Sequence, residues 1–357
     1  MSTSTVTRSQ LASQRRSEEL EVAIARDPGA FRVLSGDRPT GALHVGHYFG
    51  SLANRVRLQD AGVELLVLIA DYQAITDRIA PADLPGIVSG LVADYLAIGI
   101  DPARATIFAH SQVEPLNQLL LPFLSLVSVA EIGRNPTVKD EVAAAGSSAV
   151  SGLMFTYPVH QAADILFCHA NLVPVGRDQL PHLELTRTIA RRFNDRYCSG
   201  AAYFPAPEGL LSAAPLLLGT DGQKMSKSRN NSIPIRATPD ETIRLLATAK
   251  TDAERFITYE PERRPGVANL LLLTALCRVT TPEAVAAEIG GGGAQALKAA
   301  AAEAIDDRLA GVRARRAALA AEPGYLRDVL TAGNEKAAAI ADATLRRVRE
   351  LMHQSYS

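Results

Sequence analysis

Apolar and polar positions fall into two textures along the chain. Between residue 31 and about 220, short apolar runs alternate with stretches of helical periodicity; beyond 235 only helical periodicity remains. Phe31–Leu34 is a short apolar run leading into a glycine-containing turn, and Leu43–Leu58 reads as the helix behind it. Val63–Ala70 is apolar but for Glu64 and stops at Asp71, the pattern of a buried parallel strand with function at its C-terminal end. Residues 81–98 form a helix with Pro81 in its first turn, Ala105–Ala109 a third strand, and 115–128 another helix. Residues 131–150 carry Gly133 and Pro136 and then an Ala/Gly/Ser stretch, which predicts a mobile connector. A helix at 158–168, a strand at Leu172–Val175 and a helix through His182, Glu184 and Arg187 follow. Pro205, Pro207 and Gly209 mark a loop, and Pro215–Gly219 reads as the last strand. This alternation predicts an α/β domain built on a doubly wound parallel sheet.

The second texture opens at Thr238-Pro239-Asp240-Glu241, a capping box with proline at the first helical position, and Thr280-Thr281-Pro282-Glu283 repeats the device. Gly290–Gly293 is a flexible break, and 294–320 and 335–352 are long Ala/Arg/Leu helices. The expected organisation is an N-terminal extension over 1–30, the sheet domain over 31–220, a mobile loop and linker over 221–235, and an all-helical domain over 236–357.

With 357 residues, 47% of them hydrophobic, the chain can bury a large core. Its net charge of −1 excludes a globally basic nucleic-acid binder, so contact with RNA needs a local patch, and DNA is not expected. Three scattered cysteines, Cys168, Cys198 and Cys277, lack metal spacing and suit a reducing cytoplasm, the expected location. No apolar run approaches the roughly 18 residues of a spanning helix, so no membrane is expected. The first 30 residues hold Glu18, Glu19 and Glu21 and no apolar core, which predicts a mobile or loosely docked extension. There are six lysines among 37 basic residues, so this chain normally places positive charge as arginine.

Two segments carry chemistry. In residues 35–51, His44 and His47 lie three apart on the first helical turn, and Gly36, Gly41 and Gly46 leave room for a ligand near the backbone. A helix start offers unpaired N–H groups and a positive dipole end, and imidazoles at i and i+3 share a face, so a phosphate is the natural guest. The second segment, Gly222-Gln223-Lys224-Met225-Ser226-Lys227-Ser228, spends two of the six lysines within four positions. Lysine is a point charge on a flexible stem, suited to a phosphate that moves during reaction.

Together, His44-Val45-Gly46-His47 and Lys224-Met225-Ser226-Lys227-Ser228 resemble the two signature motifs of class I aminoacyl-tRNA synthetases. The run Ser35-Gly36 with Pro39-Thr40-Gly41, then Tyr157-Pro158, Ala162-Ala163-Asp164-Ile165-Leu166, Val173-Pro174-Val175-Gly176, Asp178-Gln179 and Pro265-Gly266-Val267 look like the tryptophanyl branch. The resemblance covers roughly residues 31–352 and implies a Rossmann-like catalytic domain, an anticodon-reading helical domain and a homodimer. It implies ATP-dependent joining of L-tryptophan to its tRNA through tryptophanyl-adenylate, with Mg²⁺ carried by ATP and no dedicated metal site in the protein. By family position Arg38, Pro39, Thr40, Gly46, His47, Gly176, Arg177, Asp178, Leu216, Lys224, Met225, Ser226, Lys227 and Ser228 bind ATP, with His44, His47, Lys224 and Lys227 catalytic. Asp164 accepts the indole N–H, Tyr157 and Gln179 hold the α-ammonium, and Gly36, Gln73, Gln161, Val173 and Val175 complete the amino-acid pocket.

Gln73 stands where many members carry histidine, and His160-Gln161 where they carry an apolar pair, as in a divergent auxiliary copy tolerant of tryptophan-mimicking antibiotics. Three other readings compete: a tyrosyl-tRNA synthetase, a non-charging paralogue that senses tryptophan, and a small-molecule adenylyltransferase. Leu34 at the strand end, where the tyrosyl family is expected to place a tyrosine, argues against the first. Two intact signature motifs argue against the second, and the helical domain leaves the third incomplete. For tRNA, Arg313/Arg315/Arg316 and Arg346/Arg347/Arg349 are the candidate contacts.

Overall fold

A computed structural model describes residues 8–76, 83–136, 138–139, 143, 150–176, 179–211, 216–227 and 229–356. Five parallel strands form one sheet in the order β3-β2-β1-β4-β5: β1 Arg32–Asp37, β2 Glu64–Ile69, β3 Ala105–Ala109, β4 Leu172–Val175 and β5 Glu208–Leu211. The helices are α1 Arg8–Arg26, α2 over 45–61, α3 Leu84–Ile98, α4 Glu114–Gln118, α5 Leu120–Leu124, α6 Val129–Arg134, α7 Gly152–Leu166 and α8 Leu180–Tyr197. Then follow α9 Pro239–Ala247, α10 Pro265–Arg278, α11 Pro282–Ile289, α12 Gly293–Ala320 and α13 Pro323–Leu351. The doubly wound reading holds. Strand side chains alternate between two cores, with Leu65, Val67 and Ile69 entering one and Leu66 and Leu68 the other.

Four local expectations change. The predicted loop around Pro205, Pro207 and Gly209 contains the fifth strand, whose Gly209 pairs with Val173. The predicted strand Pro215–Gly219 is not one: Pro215 lies outside the described residues and Leu218 makes a single bridge, to Lys224. The helix predicted over 115–128 breaks into α4 and α5. At the second capping signal Thr281 is the cap, accepting from Ala284 N–H, so Glu283 sits one position short of a reciprocal box. The first box, Thr238 with Glu241, is complete. Of the connector over 131–150, the first part is α6, tied by Glu131 to Arg192 at 2.6 Å.

Within the N-terminal extension, helix α1 is docked on the sheet rather than loose. Ser17, Leu20 and Ile24 are buried along one stripe of α1. Ser17 Oγ accepts from Leu211 N–H on the edge strand β5 at 3.0 Å, and Arg16 pairs with Glu208 at 3.1 Å.

The last helix returns to the opposite edge. Asn334 Oδ1 on α13 accepts the Ala109 N–H of edge strand β3 at 2.9 Å, and Thr344 donates to Phe167 O at 2.6 Å. Helix α12 is held to α3 by Arg315 on Ala97 O at 2.8 Å and Arg316 on the buried Asp94 at 2.5 Å. Arg313 pairs with Asp306 on its own helix. This cluster, a candidate for tRNA contact, is spent on packing the helical layer. Arg346 and Arg347 make i,i+4 and i,i+3 pairs on an exposed face, and Arg349 reaches Gln118.

One ion pair fixes the end of β1. Arg55 of α2 is buried and binds Asp37 at 2.6 Å, Ser35 Oγ at 2.8 Å and Gly36 O at 3.3 Å, while Tyr95 donates to Asp37 at 2.7 Å. Burial pushes the Asp37 carboxyl up, but the Arg55 guanidinium outweighs it and holds the group at about 2.

Two stability measurements follow from these contacts. A Cβ at Gly333 would stand 1.8 Å from Ile107 O, so Gly333→Ala should lower the unfolding free energy measured by urea titration by at least about 2 kcal/mol despite its better helix propensity. Asp37→Asn strands a buried guanidinium and should cost about 3 kcal/mol at pH 7. Because the folded carboxyl titrates below its unfolded value, the stabilisation is complete above about pH 5 and fades towards pH 2. The gap between wild type and variant should narrow over that window; a constant gap would contradict the assignment.

Candidate active site

The strand order reverses between β1 and β4, and an open cleft of about 1340 Å³ lies at their C-terminal ends, the switch point where doubly wound sheets bind ligands. The two chemical segments meet there. Val45 N–H donates to Ile233 O at 2.9 Å and Ile235 N–H to Leu43 O at 3.0 Å, so the chain just past the lysine segment pairs antiparallel with the start of α2. Met225 is buried in the core and Lys224 and Lys227 line the cleft with His44 and His47.

His44 caps α2, and the first helical turn passes into a π segment, Tyr48–Leu52, before regular helix resumes. His47 Nδ1 accepts from His44 N–H at 3.2 Å, which leaves His47 its Nε2–H to donate. Burial, with Lys227 nearby, pushes His44 down to about 3 and His47 to about 4. Both rings are therefore neutral at physiological pH, and they meet an anion as N–H donors rather than as cations. The room expected at the glycines is used by the protein itself. A Cβ at Gly36 would lie 2.6 Å from Leu68 O, and one at Gly46 2.9 Å from the His44 ring.

The lysine segment is pinned rather than free. Asn231 accepts Ser226 N–H at 2.8 Å and donates to Asp221 at 2.7 Å and to Lys224 O at 3.2 Å. Asn269 of α10 ties Leu218 at both N–H and carbonyl. Lys227 Nζ rests on Gly41 O at 2.8 Å, and burial lowers its pKa.

Helix α7 turns Tyr157, Gln161 and Asp164 to the cleft at helical spacing. Asp164 is buried; its Oδ1 lies 3.2 Å from His110 Nδ1, and its Oδ2 has no hydrogen-bond partner among the described residues. Tyr157 OH meets His182 Nε2 at 3.2 Å, and Gln161 reaches Gln179 at 3.5 Å. Leu34, Val173 and Val175 form apolar walls, with Gly36, Gln73 and Gly176 on the lining.

Of the other expected residues, Arg38, Thr40 and Ser226 line the cleft, while Pro39 and Gly46 are not among its lining residues. Leu216 is 64% exposed and is not among the lining residues. Arg177, Asp178 and Ser228 lie outside the described residues. The sequence reading missed Arg55, Asp37, Ser51, His110 and His182 as members of this site. A signal existed for two of them: His44, His47, Ser51 and Arg55 recur every three to four positions along one face of α2. Among the described residues one group, His110, His160 and Asp164, brings three metal-capable side chains together.

A family model described as tRNA synthetases class I (W and Y) matches residues 27–310. The chain is 43% identical over 329 residues to the tryptophan–tRNA ligase of Treponema pallidum (strain Nichols), spanning 90% of this chain and 96% of that one. It is 39% identical over 336 residues to the tryptophan–tRNA ligase of Streptococcus agalactiae serotype V, spanning 91% and 98%. Its backbone matches the tryptophanyl-tRNA synthetase of Campylobacter jejuni, crystallised with ADP and tryptophan, at a TM-score of 0.77 and 28% identity, over 90% of this chain and 99% of that one. A cleft that joins paired histidines, paired lysines and a buried carboxylate is what such a relationship predicts: the chain belongs to the class I aminoacyl-tRNA synthetases, in the branch of the tryptophan and tyrosine enzymes.

Proposed function

We propose that this chain activates L-tryptophan with ATP and transfers it to the cognate tRNA. The observation that carries the amino-acid assignment is Asp164 Oδ2, a buried acceptor without a partner among the described residues, set among apolar walls in the cleft that holds both signature motifs. An indole supplies one N–H donor on an apolar ring, which matches that geometry and charge.

The reaction asks little covalent chemistry of the protein. The tryptophan carboxylate attacks the α-phosphorus of ATP, the bond to the β-phosphate oxygen breaks and pyrophosphate leaves; a tRNA hydroxyl then displaces AMP. Position and charge stabilisation are the protein's contributions. His47 Nε2–H and the first turn of α2 face the phosphates, and Lys224 and Lys227 supply cationic charge from the opposite wall. Lys227 exchanges Gly41 O for a phosphate oxygen when ATP enters. Tyr157 and Gln179 hold the α-ammonium end. Mg²⁺ travels with ATP, bound through the substrate's phosphate oxygens. The helical region reads the anticodon and two copies form a dimer. No single helix in the described chain is long and apolar enough to cross a membrane.

ATP–pyrophosphate exchange with each of the twenty amino acids tests the assignment; exchange with tyrosine in place of tryptophan would overturn it. Lys224→Ala and Lys227→Ala should each lower the exchange rate by about 10²–10³ while the folded state survives. His47→Asn should slow exchange without changing the shape of the pH profile between pH 5.5 and 8, because the ring it replaces titrates at about 4. A step near 6.5 that disappears with His47 would refute the neutral-donor role.

A further inference from the structure

Asp164 has company beneath the cleft. His160 precedes it by one turn of α7, and His110, just past β3, stacks on His160 with ring centroids 4.7 Å apart and 34° between planes. All three side chains are buried.

Their hydrogen-bond partners fix where the protons sit. Tyr72 N–H is shared between His110 Nε2 at 2.9 Å and Asp71 Oδ1 at 3.2 Å; the shorter contact is to the ring nitrogen, which therefore offers its lone pair and places the ring proton on Nδ1, facing Asp164 Oδ1 at 3.2 Å. Asp71 Oδ1 is the other neighbour of Nε2, at the longer distance of 3.5 Å, and Asp71 already accepts from Ser111 N–H and its hydroxyl. Asn117 gives its amide hydrogens to His110 O at 2.7 Å and Val113 O at 3.1 Å, which makes its Oδ1 an acceptor. His160 therefore donates from Nε2 to Asn117 at 2.8 Å and keeps a bare Nδ1, which has no partner among the described residues.

We propose that His110 is a positioning residue for substrate selection: its Nδ1–H occupies one oxygen of Asp164, fixes the carboxylate plane and leaves Oδ2 as the acceptor for a ring N–H. The inference rests on the cleft being the indole site. A ring that brings no N–H leaves a buried carboxylate oxygen unmet, a strong basis for rejection.

A divalent metal on the same three side chains, whose ligand atoms lie within 4.8 Å of one another, is the competing occupant. Bound through Nδ1, it would force the His110 proton onto Nε2, head-on against Tyr72 N–H. The proton order set by the shorter contact of Tyr72 N–H opposes it.

The test compares wild type with His110→Asn, which carries an N–H at the Nδ1 position, and His110→Gln, whose amide reaches the Nε2 position instead. Exchange assays would be run with tryptophan and with the benzothiophene analogue, in which sulfur replaces N–H. His110→Asn should keep KM for tryptophan near wild type. His110→Gln should raise that KM about tenfold at nearly constant kcat and shrink the preference over the analogue by a similar factor. Long-range ¹H–¹⁵N spectra of the ligand-free protein should show His110 protonated at Nδ1. A proton on Nε2, equal behaviour of the two variants, a loss confined to kcat, or a stoichiometric divalent ion lost in His160→Ala would each overturn the proposal. If wild type fails to exchange with tryptophan at all, the cleft assignment falls, while the spectrum still decides the proton order.

Discussion

The active site depends on one short antiparallel contact between opposite halves of the chain. Val45 N–H on Ile233 O and Ile235 N–H on Leu43 O bring the lysine segment over the histidine turn. Buried backbone groups must find partners, so once this pairing forms its register is fixed. Met225, sunk in the core beside the space that Gly46 leaves open, locks the segment from below. Lys227 can then reach Gly41 O and share the cleft with His47.

Around that contact the protein separates fixed charge from movable charge. Arginine forks hold the scaffold: Arg55 on the end of β1, Arg264 on Asp252 and Phe256 O, Arg315 and Arg316 between α12 and α3. Lysine, on a flexible stem, supplies the cationic charge of Lys224 and Lys227 on the cleft wall. The same division explains why the arginine run at 313–316 misleads when read as a docking face. Its spacing is that of any charged helix, and only the presence of Asp94 and the Ala97 carbonyl opposite decides that these side chains pack.

Histidine serves here as a neutral, direction-giving group. Burial keeps His44, His47 and His160 from charging, and His47 and His160 are oriented by a backbone and an amide partner respectively. A neutral imidazole presents one donor and one acceptor, so fixing either nitrogen fixes the other. The same device orders two parts of the site: His47 is turned by His44 N–H and His110 by Tyr72 N–H.

Much of this was legible in the sequence. Apolar runs and helical spacing are properties of near neighbours in the chain, so β2, β3 and β4 fall where their patterns put them. The two signature segments and the cleft-facing stripe Tyr157, Gln161, Asp164 are equally local. The fifth strand departs from the expected loop because Pro205, Pro207 and Gly209 are loop residues by propensity, whereas a short edge strand packed against α1 starts just after the prolines and holds only Gly209. The docking of α1, the return of α13 to β3 through Gly333, and the Arg55–Asp37 pair were decided by the tertiary structure alone, as were the proton positions on His110 and His160. A buried polar group takes its partner from whatever the fold brings within hydrogen-bond distance, and those partners lie tens to hundreds of residues away.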